Sequence, residues 1–176
     1  MNPNLETILS RRSIRSYTGE GIAASDVDDL LRAAMAAPSA GNQQPWHFVV
    51  IRERRILDAV PGIHPYAAMV AEAPLAILAC GDPRLEKYAG YWVQDLSAAV
   101  ENLLLAAHAK GLGAVWCGVY PTQERMASFR SLCAVPEPVI PFALVAVGHP
   151  AESKPPAERY RNDRIHVDSW DGQEPE

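Results

Sequence analysis

The chain has 176 residues, of which 48% are hydrophobic, and its formal net charge is −5. The hydrophobic content excludes a disordered tether, and the acidic balance argues against general nucleic-acid binding, which needs a broad basic face. No basic stretch precedes an apolar one in MNPNLETILS, and the longest apolar-rich run carries charged residues. We therefore expect neither a signal peptide nor a membrane span.

Apolar spacing predicts helices that alternate with four short strands. Helix PNLETILSRR, with Leu5, Ile8 and Leu9 on one face, comes first, and helix SDVDDLLRAAMAA, capped by Ser25, follows. The later elements, in order, are strand WHFVVI, a small helical region from about residue 54 to 70, the fully buried strand APLAILAC, a helix from 88 to 110, strand GAVWCGVY, helix TQERMASFRSLC opened by Thr122, and strand PFALVAVGHP. This order predicts a layered α+β fold, with a single domain over 1–170 and a frayed tail over 171–176.

The cysteines and histidines lack the spacing of a metal site. Cys80, Cys117 and Cys133 lie in apolar surroundings without a C-x-x-C pair. Such a scattered, odd set is typical of reduced, buried thiols, so we expect a cytoplasmic protein. The five histidines never fall at H-x-H, H-x-x-x-H or H-E-x-x-H spacing, and we expect no metal.

Two short segments hold six of the sixteen lysines and arginines. RRSIRSY places Arg11, Arg12 and Arg15 around Ser13, and ERYRNDR holds three more arginines near the other end. Guanidinium groups bind phosphate in bidentate fashion, and a serine hydroxyl adds a further donor. The alternative is that the first cluster only complements the dipole at the end of a helix. One phosphate could be held by both clusters if the fold brings them together.

Two further stretches suit close approach of a flat ligand. In APSAGNQQPW, small residues and side-chain amides offer backbone access and hydrogen bonds, although an ordinary polar loop would look the same. In GLGAVWCG, the glycines follow a helix and precede a strand, which is the reverse of a dinucleotide-binding loop. Gly111 is therefore expected to end the helix, while Gly118 could present a backbone N–H to a ligand.

No Walker A motif, G-x-S-x-G motif or cysteine beside an obvious base is present, so any catalysis is expected to depend on a bound cofactor. With these stretches in order, the chain resembles the flavin-dependent nitroreductase family. The matching stretches run from about residue 8 to 170 and are RRSIRSY, AAPSAGNQQPWHFVV, QDLSAAVENLLLAAHAKGLGAVWCGVYP and VGHPAESKPPAERYRNDRIHVDSW.

The resemblance implies a central, mostly antiparallel sheet flanked by helices and an interlocked homodimer with FMN at the interface. It implies that Arg11, Arg12 and Ser13 hold the phosphate and ribityl chain, and that Arg15 lies near N1 and O2 of the flavin. A cation there favours the anionic reduced flavin. The other implied cofactor-binding residues are Arg159 and Arg161 at the phosphate, Pro38, Ser39, Ala40 and Asn42 from the partner chain, and Trp116, Cys117, Gly118 and Val119 along the ring system.

The resemblance further implies transfer of hydride from NADH or NADPH through flavin N5, opposite the Gly118 N–H, to a small acceptor such as a nitroaromatic or a quinone. No side chain need act as acid or base. Met69 stands where some relatives carry a polar or basic residue at the flavin's pyrimidine edge, and GIHPYAAM and RLEKYAGYW are the expected lids. The alternatives are a different flavin reaction (dehalogenation or flavin fragmentation), a flavin-binding sensor or carrier without turnover, and a purely structural dimer.

Overall fold

The computed structural model describes residues 2–172. Within these residues there are five α-helices and four strands, and after the first two helices the strands alternate with helices. The helices are α1 (Pro3–Ser10), α2 (Ala24–Met35), α3 (Arg54–Ile63), α4 (Trp92–Ala109) and α5 (Gln123–Cys133). The strands are β1 (Trp46–Ile51), β2 (Leu75–Gly81), β3 (Gly113–Gly118) and β4 (Ile140–Gly148).

The strands form one sheet in the order β1-β2-β4-β3, and every neighbouring pair is antiparallel. Residues along β2 alternate between two cores. Leu75 and Ile77 face a core with α2 and α4, whereas Ala76 and Leu78 face a core with α3 and α5. Because both faces are covered, β2 is an unbroken apolar strand. The predicted α+β fold with a sheet flanked by helices is confirmed, and no described helix is long and apolar enough to cross a membrane.

Three local predictions are wrong at helix ends. The cap of α2 is Ala23 without a side-chain hydrogen bond, so Ser25 lies inside the helix. The region from 54 to 70 divides, because α3 ends at Ile63 and a separate 3-10 turn covers Ala68–Ala71. The long helix begins at Trp92 and not at residue 88.

Gly111 follows the C-cap of α4 with φ +73°, as predicted for a helix-ending glycine. Of the tail predicted to fray, residues 171 and 172 form a turn in which the Gly172 N–H donates to Ser169 O at 3.0 Å. Residues 173–176 lie outside the described residues.

Candidate functional site

The arginine turn, defined here as Arg11–Arg15, is fixed against the edge strand β3. Ser13 forms a parallel bridge with Ala114, and the Ile14 N–H donates to Ala114 O at 3.1 Å. The buried Tyr17 hydroxyl donates to Ile14 O at 2.7 Å, and burial raises the pKa of this phenol. The turn is thus held by backbone pairing and by a buried side chain.

The C-terminal segment, defined here as residues 149–161, crosses this turn. Lys154 Nζ donates to Ser13 O at 2.9 Å, and Arg12 Nε donates to Pro155 O at 2.9 Å. The Glu152 carboxylate accepts the backbone N–H of Arg15, and this hydrogen bond, followed by that from Lys154, lowers the Glu152 pKa. Residues 152–155 of the C-terminal segment therefore lie against the arginine turn.

The arginines of the turn differ in how their donors are used. Arg11 Nε pairs with Glu101 of α4 at 3.2 Å. Arg12 Nη1 donates to Leu9 O at 3.1 Å and also to Arg11 O. Arg12 Nη2 is buried and has no hydrogen-bond partner within the described residues. A buried donor without an acceptor is costly, so Arg12 is consistent with an anion placed beside it.

The second arginine cluster lies in an exposed part of the C-terminal region. Arg161 pairs with Asp163 at 2.7 Å, and Arg159 is exposed. Within residues 2–172, no hydrogen bond or ion pair joins either arginine to the arginine turn. The clusters thus do not meet through direct contacts in one chain. Nevertheless, Arg159 follows Pro155 by four residues, a span of at most about 14 Å.

The loop before β1 is tied to α4 by buried polar contacts. The Ala40 N–H donates to Asp95 Oδ1 at 3.0 Å, and Gln43 Nε2 donates to Asp95 Oδ2 at 2.6 Å. Gln43 Oε1 in turn accepts the backbone N–H groups of Lys87 and Tyr88 at 2.8 and 3.2 Å. The predicted lid RLEKYAGYW is therefore attached to the same loop.

This loop has an unusual backbone. Gly41, Asn42 and Gln44 have φ values of +53°, +55° and +49°. These values lie in the left-handed region, which residues other than Gly, Asn and Asp rarely adopt. Ser39 Oγ stabilises it by accepting the Gln44 N–H at 3.0 Å, while Pro38 is exposed. Backbone strain of this kind clusters at functional sites. Among the described contacts, no hydrogen bond joins the loop to the arginine turn or to β3.

The end of β3 combines a packed core side with an open glycine. Cys117 is buried, and burial raises the pKa of its thiol to about 11, which keeps it protonated near neutral pH. Trp116 is half-buried with its ring centroid 5.6 Å from that of Phe142, and Val119 is buried. No atom lies within 4 Å of the position that a Gly118 Cβ would occupy. A flat group can therefore approach the backbone there.

The register gives the direction of the Gly118 N–H. Val119 donates to Phe142 O at 3.1 Å, which makes these two the hydrogen-bonded pair. Bonded and non-bonded pairs alternate in antiparallel strands, so Gly118 and Ala143, the adjacent pair, do not bond each other. The N–H and C=O of Gly118 consequently point to the free edge of the sheet, the same edge along which the arginine turn pairs with Ala114.

Two residues at this edge were not singled out from the sequence. Gly118 O lies 2.9 Å from His64 Nε2 and 3.1 Å from Arg125 Nη1. Contacts to a backbone carbonyl leave no spacing pattern in a sequence. The predicted lid GIHPYAAM contains His64, but it gave that residue no role. Met69, expected at the flavin's pyrimidine edge, packs partly against the core beside α3 and α5.

Comparison with known proteins identifies the family. The model of the nitroreductase family matches residues 8–72 and 63–149. A Methanothermobacter thermautotrophicus protein, provisionally named an NADH dehydrogenase/NAD(P)H nitroreductase, is 49% identical over 94% of this chain and 87% of its own length. A crystal structure with the same provisional name from Parabacteroides distasonis has a TM-score of 0.93 at 39% identity, over 97% of this chain and 100% of that one.

A third relative was crystallised with a ligand. This Desulfovibrio desulfuricans protein, provisionally named a nitroreductase, is in complex with FMN and has a TM-score of 0.79 at 36% identity. The match covers 91% of this chain and 93% of that chain. The extent of these matches, together with the family model, shows that this chain belongs to the nitroreductase family.

Proposed function

We propose that the protein is an FMN-dependent oxidoreductase that uses NADH or NADPH to reduce nitroaromatics, quinones or similar small acceptors. The family membership supports an oxidoreductase, and the names of the relatives support both NAD(P)H and FMN. The substrate class and the order of the reaction are our inference from the site and from the resemblance.

One observation carries the proposal. The edge of the sheet formed by β3 has cationic donors near one end and the accessible N–H of Gly118 near the other. Ala114, which pairs with the arginine turn, and Gly118 are four residues apart on β3, or about 13 Å along the strand. An elongated ligand with an anionic end and a flat ring with acceptor atoms matches this edge. The buried Arg12 Nη2, which has no partner among residues 2–172, and the open space at Gly118 both fit FMN.

The arginine turn would bind the phosphate end of the cofactor. Arg11, Arg12 and Ser13 supply charge and hydrogen bonds to the phosphate and ribityl chain. Arg159 and Arg161 would close over the phosphate from the exposed C-terminal region. A phosphate group carries up to two negative charges at neutral pH, so several guanidinium groups can share it.

The rest of the edge would bind and orient the ring. Arg15 would lie beside N1 and O2, where its charge favours the reduced form. Trp116, Cys117, Gly118 and Val119 would line the ring system, with the Gly118 N–H donating to N5. Bound FMN would supply ping-pong hydride transfer through N5, first from NAD(P)H and then to an acceptor at the same face. The raised Cys117 pKa argues against a thiolate in this chemistry.

We also propose that the active unit is a homodimer. Helix α1 exposes Leu5, Ile8 and Leu9 on one face, and the C-terminal region exposes Tyr160 (78%) and Trp170 (81%). Exposed apolar side chains gathered on one face of a helix favour a protein partner. In such a dimer, the loop residues Pro38, Ser39, Ala40 and Asn42 would complete the FMN site of the second subunit, because they make no hydrogen bond to the described edge in their own chain.

The visible absorption spectrum of freshly purified protein tests the function. We expect flavin bands that bleach when NADH or NADPH is added without oxygen and return when a quinone is added. Bands that persist would favour a flavin-binding carrier over an enzyme. A protein that stays colourless after incubation with FMN would contradict the proposal.

A further inference from the structure

Two side chains from different elements converge on one backbone carbonyl at the proposed flavin edge. His64, at the C-cap of α3, is only 2% exposed, and its Nε2 lies 2.9 Å from Gly118 O. Arg125, in the first turn of α5, places Nη1 3.1 Å from the same oxygen. We refer to His64 and Arg125 as the carbonyl clamp.

The hydrogen bonds of the histidine fix its tautomer. A carbonyl oxygen can only accept, so His64 Nε2 carries the hydrogen, and Nδ1 accepts the Tyr66 N–H at 3.3 Å. Both ring nitrogens are thus satisfied in the neutral form. Arg125 is steadied in turn by the Tyr66 ring, whose centroid lies 5.8 Å from the guanidinium carbon.

The clamp immobilises the peptide unit between Gly118 and Val119. A carbonyl oxygen has two lone pairs, and the two clamp donors occupy both. On the other side of this peptide, the Val119 N–H donates to Phe142 O at 3.1 Å. The Gly118 N–H belongs to the preceding peptide unit, between Cys117 and Gly118. Glycine has more conformational freedom than other residues, so fixing the following unit restricts the backbone rotations at Gly118 that would turn this N–H.

The clamp also determines which backbone group of Gly118 is available to a ligand. Because Gly118 O is already engaged, a ligand at the open side can use only the Gly118 N–H, which the register directs to the free edge. The site therefore presents a donor and no acceptor. That character matches the lone pair of N5 in oxidised flavin.

We propose that His64 and Arg125 are positioning residues that hold the Gly118 N–H toward N5 of the flavin. The inference rests on the proposed function, because it assumes that FMN occupies this edge. Neither residue needs to touch the cofactor. The alternative is that the clamp only docks α3 and α5 against β3 and has no effect specific to N5.

Binding of FMN and of 5-deaza-FMN, in which a C–H group replaces N5, separates these possibilities without measuring activity. The variants are His64→Leu and Arg125→Met, which remove the donors at similar volume. We expect each to weaken FMN binding about tenfold, close to one net hydrogen bond, and to weaken 5-deaza-FMN binding less than twofold. In a double variant, the loss of binding free energy for FMN should exceed the sum of the losses in the two single variants, because both donors hold the same carbonyl.

Two controls address simple destabilisation. His64→Gln keeps an N–H donor near the Nε2 position and should restore most of the FMN preference. Arg130→Met removes another arginine of α5, whose Nη1 donates to Val135 O and Pro136 O at 3.2 and 2.9 Å, away from Gly118. It should leave the preference for FMN over 5-deaza-FMN unchanged even if the thermal midpoint falls.

The outcomes are distinguishable. Equal weakening of the binding of both cofactors in the clamp variants, or equal binding of both by the wild type, would overturn the positioning role but not the proposal that the protein binds FMN. Failure of the wild-type protein to bind FMN at all would instead contradict the proposed function.

Discussion

The two arginine clusters have similar composition and the same proposed ligand, but they differ in how many contacts hold them in the fold. The arginine turn is held by β3, by Tyr17 and by the C-terminal segment. The cluster at Arg159–Arg164 is exposed throughout, and its one described ion pair is the local contact of Arg161 with Asp163. One cluster is organised within the chain before any ligand binds, and the other has few described contacts.

This difference separates two contributions to anion binding. Donors that the fold already holds lose little freedom when a ligand binds, whereas exposed arginines must be ordered at that moment. The turn should therefore contribute to both folding and affinity. The exposed cluster should contribute to affinity alone, and substitutions can test whether the two contributions separate in this way.

The largest effect on FMN binding is expected for Arg159→Glu. This variant replaces an attraction to the phosphate by a repulsion, and like charges in contact cost several kcal/mol. We expect FMN to bind at least about 100-fold more weakly and the protein to purify largely without flavin. The thermal midpoint of the apoprotein should not change, because Arg159 has no described side-chain hydrogen bond or ion pair.

The matched control for this variant is Arg164→Glu, which makes the same charge change in the same exposed region at an arginine that is not proposed to hold the phosphate. Isothermal titration of the apoproteins with FMN gives the comparison. Full retention of FMN by Arg159→Glu, or an equal loss in both variants, would show that Arg159 does not hold the phosphate.

A smaller effect on affinity, now coupled to stability, is expected for Arg12→Met. The variant removes the hydrogen bonds to Pro155 O and Leu9 O, and bonds from a charged donor contribute about 2 kcal/mol. We expect the free energy of unfolding of the apoprotein to fall by about that amount and FMN binding to weaken about tenfold. Urea denaturation and FMN titration measure the two quantities.

Arg32→Met provides the control, since Arg32 is an exposed arginine in the last turn of α2. It should change neither quantity appreciably. If Arg12→Met proves as stable as the wild type, the turn is not organised by the contacts described here, and the contrast between the two clusters fails.

The smallest effect is a pH dependence that comes mainly from the burial of His108 beside the arginine turn. His108 Nε2 lies 2.8 Å from Ser10 Oγ, and burial, followed by the charges of Arg11 and Arg12, lowers the pKa of His108. The unfolded chain therefore takes up this proton first, near pH 6.5. The contribution of His108 to the free energy of unfolding is therefore present above that pH, and it is lost as pH falls toward the folded-state pKa.

His108→Gln keeps a partner for Ser10 but does not titrate. Thermal midpoints measured from pH 8 to pH 5 should fall less in this variant than in the wild type, and the two curves should differ mainly below about pH 6.5. Parallel curves over the whole range would show that His108 has an ordinary pKa in the folded protein.

The fold was predictable because its elements follow simple apolar patterns. The unbroken run of β2 and the stripe of α4 each correspond to a surface that the sheet and helices bury. The errors occurred where tertiary contacts decide a boundary. Helix α4 starts late because Lys87 and Tyr88 bond the Gln43 side chain, and no local signal in the sequence indicates that contact.

The site was predictable only in part, for a related reason. The arginine turn and Gly118 stand in recognisable stretches, and the register places both on one edge. His64 and Arg125 could not be predicted, because both contact the carbonyl of Gly118. Gly118 lies 54 positions after His64 and 7 positions before Arg125. Arg159 and Arg161 follow only from the resemblance, because no described hydrogen bond or ion pair joins them to the arginine turn.

The central claim is that both arginine clusters bind the phosphate of one FMN, and the most direct test compares FMN with riboflavin, which lacks that phosphate. We measure both dissociation constants for the wild type, Arg12→Met and Arg159→Glu. We expect that the wild type prefers FMN by about 100-fold or more, that Arg12→Met reduces this preference, and that Arg159→Glu nearly abolishes it. Equal binding of FMN and riboflavin by the wild type would contradict the account.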